Sequence, residues 1–255
     1  CHATRALPLL PEIIAFSNNR YYDGKIEALR DRRPSQGWSP TGTVDVRIGF
    51  RKSGLDVNEA EAVAIADLIA ELIERPEYDS MTFGVISMLG AKQAPRIQEL
   101  LLDRLGSSVV EDRRIRCGDA SNFQGDERDV IVVSLVVGPD ESGQLGKIGA
   151  MTGKPAERRM NVAASRGANQ LWVVHSIQPE DFPSQDPRAE LIRHCREPAR
   201  LDDMSDRLLD KCESEFERRV VRDILARGFR HVRVQWVVGN YRIDIVVEGP
   251  EGRRL

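Results

Sequence analysis

The sequence predicts an α/β protein in which a parallel β-sheet is covered by helices on both faces. Three runs of apolar, largely β-branched residues predict buried strands, at Met81–Met88, Val130–Val137 and Leu171–Ser176. Segments with the apolar spacing of helices alternate with the strands, and this alternation is typical of parallel sheets. A smaller, incomplete α/β unit is expected after a change of composition near Pro179.

The first predicted strand and helix lie between Thr43 and Ile73. Thr43–Phe50 alternates in hydropathy as a half-buried strand does. Asn58 and Glu61 form the pattern of a capping box, in which Asn58 accepts backbone N–H groups and Glu61 reaches back to the cap. The apolar stripe of the helix comprises Ala62, Ile65, Ala66, Ile69 and Ile73. We expect this helix to be a plain structural element.

Two further helices complete the predicted alternation. Gln93 stands at the head of a helix that runs to Leu105. Arg158–Gly167 is predicted to start as a helix with a basic first turn and to carry Arg166 about two turns further on. The final strand, Leu171–Ser176, then closes the first domain.

The second part of the chain is predicted to be an incomplete α/β unit. A proline-rich region leads into a short helix, Arg188–Arg196, and a polar linker follows it. A helix begins near Ser214, and Val232–Val238 and Tyr241–Glu248 are strands around a Gly239-Asn240 turn. We therefore expect a first domain over residues 1–178, a linker with a short helix over 179–204, and a truncated unit over 205–255.

A polar turn before the second buried run has the chemistry of an anion site. The turn comprises Gln124, Gly125, Asp126, Glu127, Arg128 and Asp129. Gly125 allows close approach of the backbone to a phosphate, and a carboxylate such as that of Glu127 can hold a ribose hydroxyl. Arg166 can supply a guanidinium to the γ-phosphate, where charge develops during phosphoryl transfer.

These segments together resemble the last two motifs of a superfamily 1 helicase motor. Arg116–Val133 is followed, about forty residues later, by Arg158–Gly167, with a buried strand between them. The chain is similar to the second RecA-like domain of superfamily 1B helicases, and in particular to large bacterial relatives that end in a Vsr-like nuclease domain. Pro11–Gly24 matches the segment that follows the third motif of the family. The family's preceding arginine is replaced within Ala6–Leu10, so that contact stays unassigned.

The resemblance implies ATP and Mg²⁺ as cofactors. Arg166 would be the arginine finger, and Gln124, Gly125 and Glu127 would line the nucleotide. Gln93 matches the glutamine of the fourth helicase motif, which helps to frame the nucleotide; a glutamine at the start of a structural helix is the alternative.

The resemblance also implies single-stranded nucleic acid as a partner, with DNA favoured over RNA. The candidates for contact with the strand are Ser87, Ser121 and Asn122, each of which could equally be a polar group of a turn or strand.

A phosphate-binding loop of the form Gly-x-x-x-x-Gly-Lys-Ser/Thr does not occur in the sequence. Gly146-Lys147 is followed by Ile148, and Gly153-Lys154 is followed by Pro155. In the helicase family the first lobe supplies this loop and most of the magnesium ligands. The sequence therefore predicts a second lobe without its first, truncated at both ends and inactive on its own.

Tyr241–Val247 resembles the first metal-ligand strand of PD-(D/E)XK nucleases. Asp244 on this strand, joined by Glu217 of the preceding helix, would bind a divalent cation through hard oxygen ligands. The next ligand-bearing element of the family would follow Leu255. We therefore expect an incomplete nuclease site.

Bulk properties favour a cytoplasmic protein without a membrane segment. The 255 residues carry a net charge of −3, with no long apolar run and no signal-peptide pattern. Four scattered cysteines and four scattered histidines disfavour zinc and disulfides. Two other functions stay open: a non-catalytic module that binds nucleic acid or protein, and a nucleotide-binding oxidoreductase or transferase. The absence of Gly-x-Gly-x-x-Gly disfavours the latter.

Overall fold

A computed structural model of the chain describes residues 6–7, 9–28, 38–52, 56–197, 208–227, 232–238 and 241–247. The chain divides into two compact units, Cys1–Pro198 and Ala199–Leu255. The strands of the first unit are β1 (Ala6–Leu7), β2 (Glu27–Ala28), β3 (Thr41–Asp45), β4 (Arg51–Lys52), β5 (Val57–Asn58), β6 (Phe83–Ser87), β7 (Arg116–Asp119), β8 (Arg128–Ser134) and β9 (Gly167–His175). Its helices are α1 (Pro11–Tyr21), α2 (Glu59–Ile73), α3 (Gln93–Asp112), α4 (Lys154–Ala164) and α5 (Pro187–Arg196).

A five-stranded sheet in the order β3-β9-β8-β6-β7 forms the centre of the first unit, and its strand pairs are all parallel. The predicted α/β class with a parallel sheet is confirmed. Apolar side chains of β6 and β8, among them Phe83, Ile86 and Val132, are fully buried because helices cover the sheet. Val136, just after β8, has φ 64°, a value that β-branched residues rarely adopt. The predicted strand Val130–Val137 therefore ends early, at Ser134.

The predicted strand Thr43–Phe50 is only partly correct, because β3 ends at Asp45. The Gly49 N–H donates to the Val46 carbonyl (2.8 Å) and closes a turn there. Alternating hydropathy continues through this turn, which explains why the pattern alone extended the strand.

The predicted N-cap of α2 is confirmed, but the reach of Glu61 is not. The Asn58 side chain accepts a hydrogen bond from the Glu61 N–H (3.1 Å). The carboxylate of Glu61 turns into the core, and the Asn58 N–H instead donates to Oε1 of Gln93 (2.9 Å). A buried partner from another helix thus replaces the local half of the capping box.

Helices α3 and α4 differ from prediction at their ends. α3 continues beyond Leu105 to Asp112, across a kink at Gly106, which has φ 77°. α4 ends at Ala164, where the Ser165 hydroxyl donates to the Asn161 carbonyl (2.6 Å). Arg166 consequently lies in the connection to β9 and not on the helix.

The second unit contains α6 (Glu215–Ala226), β10 (Val232–Val238) and β11 (Tyr241–Val247), and the two strands pair antiparallel. Ser214 caps α6 by accepting from the Glu217 N–H (3.1 Å). The predicted helix and two strands are confirmed, while the predicted Gly239-Asn240 turn lies outside the described residues. Across both units, no helix of the described residues combines the length and apolarity needed to cross a membrane.

Candidate functional site

The connections that lead into β8 and β9 lie side by side at one edge of the sheet, which we call the amino edge. Parallel pairing aligns Arg128 with Gly167. The Arg128 N–H also donates to the Arg166 carbonyl (3.1 Å). The fold thereby brings the Gln124–Asp129 turn and Arg166 together, although the two are distant in sequence.

A register shift, in which one residue of β8 lies opposite two residues of β9, fixes this alignment. The pairing with β9 shifts register between Arg128 and Val130. Asp129, which lies within the shift, accepts from the backbone and hydroxyl of Thr82 (2.9 and 2.7 Å) and from Nδ2 of Asn169 (2.8 Å). Three strands are thus tied at one carboxylate, and the register of β8 against β9 is specified by side chains as well as by the ladder.

The turn before β8 is anchored at one end and open at the other. Phe123 is fully buried, and its carbonyl accepts from the Asp126 N–H (3.1 Å). Gly125 has φ 83°, and a Cβ placed there would meet nothing within 4 Å. Gln124, Gly125 and Glu127 are all exposed. A ligand therefore has direct access to the backbone of Gly125 and to the Glu127 carboxylate.

Asp126 and Glu127, two of the three carboxylates of this turn, have different surroundings. Asp126 forms ion pairs with the buried Arg128 and with Arg116 (3.0 Å). The hydrogen bond from Arg128, followed by its charge, lowers the pKa of Asp126. Within the described part of the chain, the side chain of Glu127 has neither an ion pair nor a hydrogen bond. Asp126 thus shapes the turn, and Glu127 remains available to a ligand.

Arg166 is a half-buried cation that has no counter-charge among the residues that the structure describes. Its Nε is buried and has no hydrogen-bond partner, and no carboxylate of the described residues pairs with its guanidinium. Such a donor group favours an anionic acceptor, and phosphate oxygens match the planar fork of a guanidinium.

The connection that carries Arg166 is held from its other side by α1 and by apolar residues that flank this helix. Ala168 belongs to a small buried apolar cluster with Leu9, Ile14 and Ile26. Nδ2 of Asn161, on α4, donates to the hydroxyl of Tyr22 (2.7 Å). The main chain before and after Arg166 is therefore fixed. The side chain of Arg166 has no partner among the described residues.

A second polar group lies at the opposite edge of the sheet, the carboxyl edge, and it is buried. We call Asn58, Glu61, Gln93, Ser134 and Ser176 the Glu61 cluster. Oε2 of Glu61 accepts from the Ser134 hydroxyl (2.8 Å) and the Val136 N–H (2.9 Å), and Oε1 accepts from the Ser176 hydroxyl (2.9 Å). Burial raises the pKa of Glu61 to about 7, against the opposing effect of these donors.

Gln93 belongs to this buried cluster. Its Nε2 donates to the Asn58 carbonyl (3.1 Å) and the Ser134 hydroxyl (3.2 Å), so both ends of its amide are used. Arg128 and Ser134 stand at opposite ends of β8, about 20 Å apart at the usual rise of a strand. The structure consequently does not bring Gln93 together with Gly125, Glu127 and Arg166. The sequence analysis did not connect these residues, although a serine inside one apolar run (Ser134) and a serine at the end of another (Ser176) were usable signals.

The three predicted contacts with nucleic acid have intramolecular partners. The hydroxyl of Ser87 donates to the Leu89 carbonyl (2.9 Å), and its residue is buried. Ser121 donates to Asp119 and Asn122 accepts from the Asp119 N–H (3.0 Å), which caps a short 3₁₀ turn. Ser121 and Asn122 are exposed and Ser87 is not.

The predicted metal ligands lie in the second unit. Asp244 is exposed on β11, and Glu217 accepts from the Ser214 hydroxyl (2.8 Å) and from Nε2 of Gln235 (2.9 Å). Among the described residues no group of three or more His, Cys, Asp or Glu side chains could hold a metal ion.

Comparison with known proteins identifies the first unit. A family model described as "AAA domain" matches residues 9–178. The chain belongs to this AAA domain family. It is 29% identical over 182 residues to the "Uncharacterized ATP-dependent helicase MG140" of Mycoplasma genitalium, covering 67% of this chain and 15% of that protein.

Two eukaryotic proteins are also similar to this chain over part of its length. The mouse "5'-3' DNA helicase ZGRF1" is 29% identical over 173 residues, 66% of this chain and 9% of that protein. The "DNA polymerase alpha-associated DNA helicase A" of Saccharomyces cerevisiae is 33% identical over 127 residues, 49% of this chain and 16% of that protein. The chain thus contains a superfamily 1 helicase-like domain and spans less than a fifth of each of these relatives.

Proposed function

We propose that this chain is the second motor lobe of an ATP-dependent nucleic acid helicase, with Arg166 as its arginine finger. The observation that carries the proposal is the unpaired guanidinium of Arg166 beside an open glycine turn. Main-chain pairing of β8 with β9 holds both parts at the amino edge. The same edge offers the Gly125 backbone and the free carboxylate of Glu127.

The residues at this edge suit a nucleoside triphosphate. Glu127 would hold a ribose hydroxyl, Gly125 would allow close approach of the backbone, and Gln124 would cover the ligand from the exposed side. ATP would provide the phosphoryl group that is transferred to water. A first lobe would supply most of the ligands of the accompanying Mg²⁺. Arg166 would stabilise the charge that develops on the γ-phosphate when the two lobes close.

The names of the relatives support the choice of ATP as the nucleotide and of DNA as the nucleic acid. One is called an ATP-dependent helicase, and two are called DNA helicases. By analogy, single-stranded DNA is the proposed partner. The exposed Ser121 and Asn122 are the proposed direct contacts, and Ser87 is proposed to act on the strand indirectly. Because Ser87 and Gln93 are buried, their proposed effect on ligands is indirect, through the backbone that each one fixes.

The second unit keeps its proposed relation to PD-(D/E)XK nucleases, with Asp244 and Glu217 as the candidate ligands of a divalent cation. A cytoplasmic location is likewise part of the proposal. The second candidate function is a non-catalytic module that binds nucleic acid or protein. It is favoured by the lack of a phosphate-binding loop in the sequence.

The decisive experiment measures ATP hydrolysis with single-stranded DNA, by this chain alone and after adding a first helicase lobe in trans. We expect no turnover by the chain alone and turnover with the added lobe. Arg166→Ala should lower that turnover by about 10³-fold with little change in ATP affinity, because the finger acts mainly in the transition state.

Arg75→Ala is the matched control, since Arg75 is an exposed arginine paired with Glu71 on α2. Turnover that is unchanged in Arg166→Ala would refute the proposal that Arg166 is an arginine finger. DNA binding whose affinity does not change with nucleotide, together with no turnover after a first lobe is added, would instead favour the non-catalytic module.

A further inference from the structure

The turn after β3 exposes two large apolar side chains between basic residues. The sequence from Arg47 to Lys52 reads Arg-Ile-Gly-Phe-Arg-Lys. Ile48 is 86% exposed and Phe50 is 41% exposed. Exposed apolar residues normally occur singly, and two of them in one short basic turn indicate a binding surface.

The main chain of this turn is fixed. The Val46 N–H donates to the His175 carbonyl (2.8 Å), and the Arg51 N–H donates to the Pro139 carbonyl (2.8 Å). Gly49 packs so closely on Ser176 that a side chain at Gly49 would collide with it. Ile48 and Phe50 are therefore displayed by a rigid turn and are not exposed through fraying.

The support under the turn is the Glu61 cluster. Ser176, which touches Gly49, donates to the Glu61 carboxylate (2.9 Å). Gly138 lies against the Gly49 carbonyl and near Nδ2 of Asn58, which also belongs to the cluster. The buried network thus holds the backbone on which the two apolar side chains stand.

Among the described residues, Arg47 and Arg51 of the turn are each held by one exposed ion pair. Arg47 lies 3.3 Å from Asp45 and is 84% exposed, and Arg51 lies 3.5 Å from Asp56 with both side chains about half exposed. Exposed pairs of this kind contribute little, so phosphate groups can compete for both guanidinium groups.

We propose that Phe50, supported by Ile48, is a stacking platform for a base of single-stranded nucleic acid, with Arg47 and Arg51 neutralising the flanking phosphates. Aromatic side chains stack on bases irrespective of sequence, and adjacent cations follow the backbone. The inference rests on the nucleic acid binding in the proposed function. It adds a contact at the end of β3, a position that the predicted contacts Ser87, Ser121 and Asn122 do not include.

The chemistry favours nucleic acid over a protein partner. Two apolar side chains cover far less than the roughly 800 Å² that each partner buries in a stable protein interface. Basic side chains on both sides of an exposed ring match an anionic strand of stacked bases. Binding to a protein is the competing outcome of the test.

The test measures binding of a fluorescent oligothymidylate to the full chain by anisotropy over a series of salt concentrations. Phe50→Leu should weaken binding by roughly 10-fold, because it keeps an apolar side chain but removes the ring. Phe50→Trp should bind at least as tightly as wild type. Arg47→Gln should reduce the salt dependence by about one released ion.

Leu102→Ala is the matched control, since Leu102 is 42% exposed on α3, away from the turn. Equal binding by wild type and Phe50→Leu would overturn the platform while leaving the proposed helicase function intact. Failure of the wild type to bind both alone and with a first lobe added would overturn both. Loss of binding in Phe50→Leu and in Phe50→Trp alike would also overturn the platform, because it would indicate a damaged turn.

A second measurement locates the contact without relying on a variant. Ultraviolet crosslinking of an iodouracil-containing oligothymidylate should attach the base to the tryptic peptide Ile48–Arg51. Crosslinks confined to other peptides would contradict the proposal.

Discussion

The two edges of the parallel sheet hold polar residues in opposite states. At the amino edge, Glu127 is exposed and Arg166 is a cation with no described counter-charge. At the carboxyl edge, Glu61 is fully buried and accepts hydrogen bonds from Ser134, Ser176 and Val136. A dense group of polar side chains in an α/β fold therefore need not be a ligand-binding site. Unused hydrogen-bonding capacity distinguishes the edge that can accept a ligand.

Removing a carboxylate at each edge should separate the two roles most strongly. Glu61→Ala should lower the free energy of unfolding by about 4 kcal/mol, because several buried donors lose their acceptor. Glu127→Ala should change it by less than about 0.5 kcal/mol, since that side chain is exposed. Urea unfolding of both variants measures the difference. Similar losses at the two edges would show that the turn before β8 is also structural.

The buried carboxylate at the carboxyl edge should also make the stability of the chain depend on pH. The pKa of Glu61 is raised from its usual 4.5 to about 7 in the folded chain. Its favourable contribution is therefore complete below pH 4.5 and is lost as the pH rises through about 7. The total change is about 3 kcal/mol.

The measurement compares wild type with Glu61→Gln, which cannot titrate, by urea unfolding across this pH range. The buried His175 and the half-buried His194 titrate in both proteins, so their contributions cancel in the difference. A difference in stability that is independent of pH would contradict the raised pKa.

The smallest expected effect concerns two glycines with similar backbones. Gly125 and Gly143 both have positive φ, and a Cβ at either position would meet nothing within 4 Å. Substitution by alanine should cost about 1 kcal/mol of stability at each, from backbone strain alone. Only Gly125→Ala should also weaken ATP binding in the two-lobe assay. Equal ATP affinity in both variants would argue against a nucleotide at the turn.

Local sequence patterns predicted the elements well and their long-range partners poorly. The cap at Asn58 and the buried run at Val130 follow from rules that act over a few residues. The Asn-x-x-Glu pattern allows the Glu61 carboxylate either to accept from the backbone at Asn58 or to point into the core. Ser134 and Ser176, which are distant in sequence, donate to this carboxylate and favour the second arrangement. The partners of Gln93 were likewise set by the tertiary fold.

The candidate site shows the same division. The order of the two motifs predicted that Gly125, Glu127 and Arg166 act together, and the structure places the turn beside Arg166. The pattern did not predict that Arg166 leaves the helix, because the end of α4 depends on the Ser165 cap and on packing of Ala168. The sequence pattern also extended β3 across Gly49, whose close contact with Ser176 is a tertiary feature.

The register shift opposite Asp129, together with the hydrogen bonds of the Asp129 carboxylate, fixes the register of the β8–β9 pair. Since a carboxylate binds Thr82 and Asn169 at once, β8 cannot slide along β9 without breaking bonds on both sides. The backbone spacing between the glycine turn and Arg166 is thus a constant of the fold. Any change in reach must come from rotation of the Arg166 side chain or from movement of the whole sheet as a rigid plate.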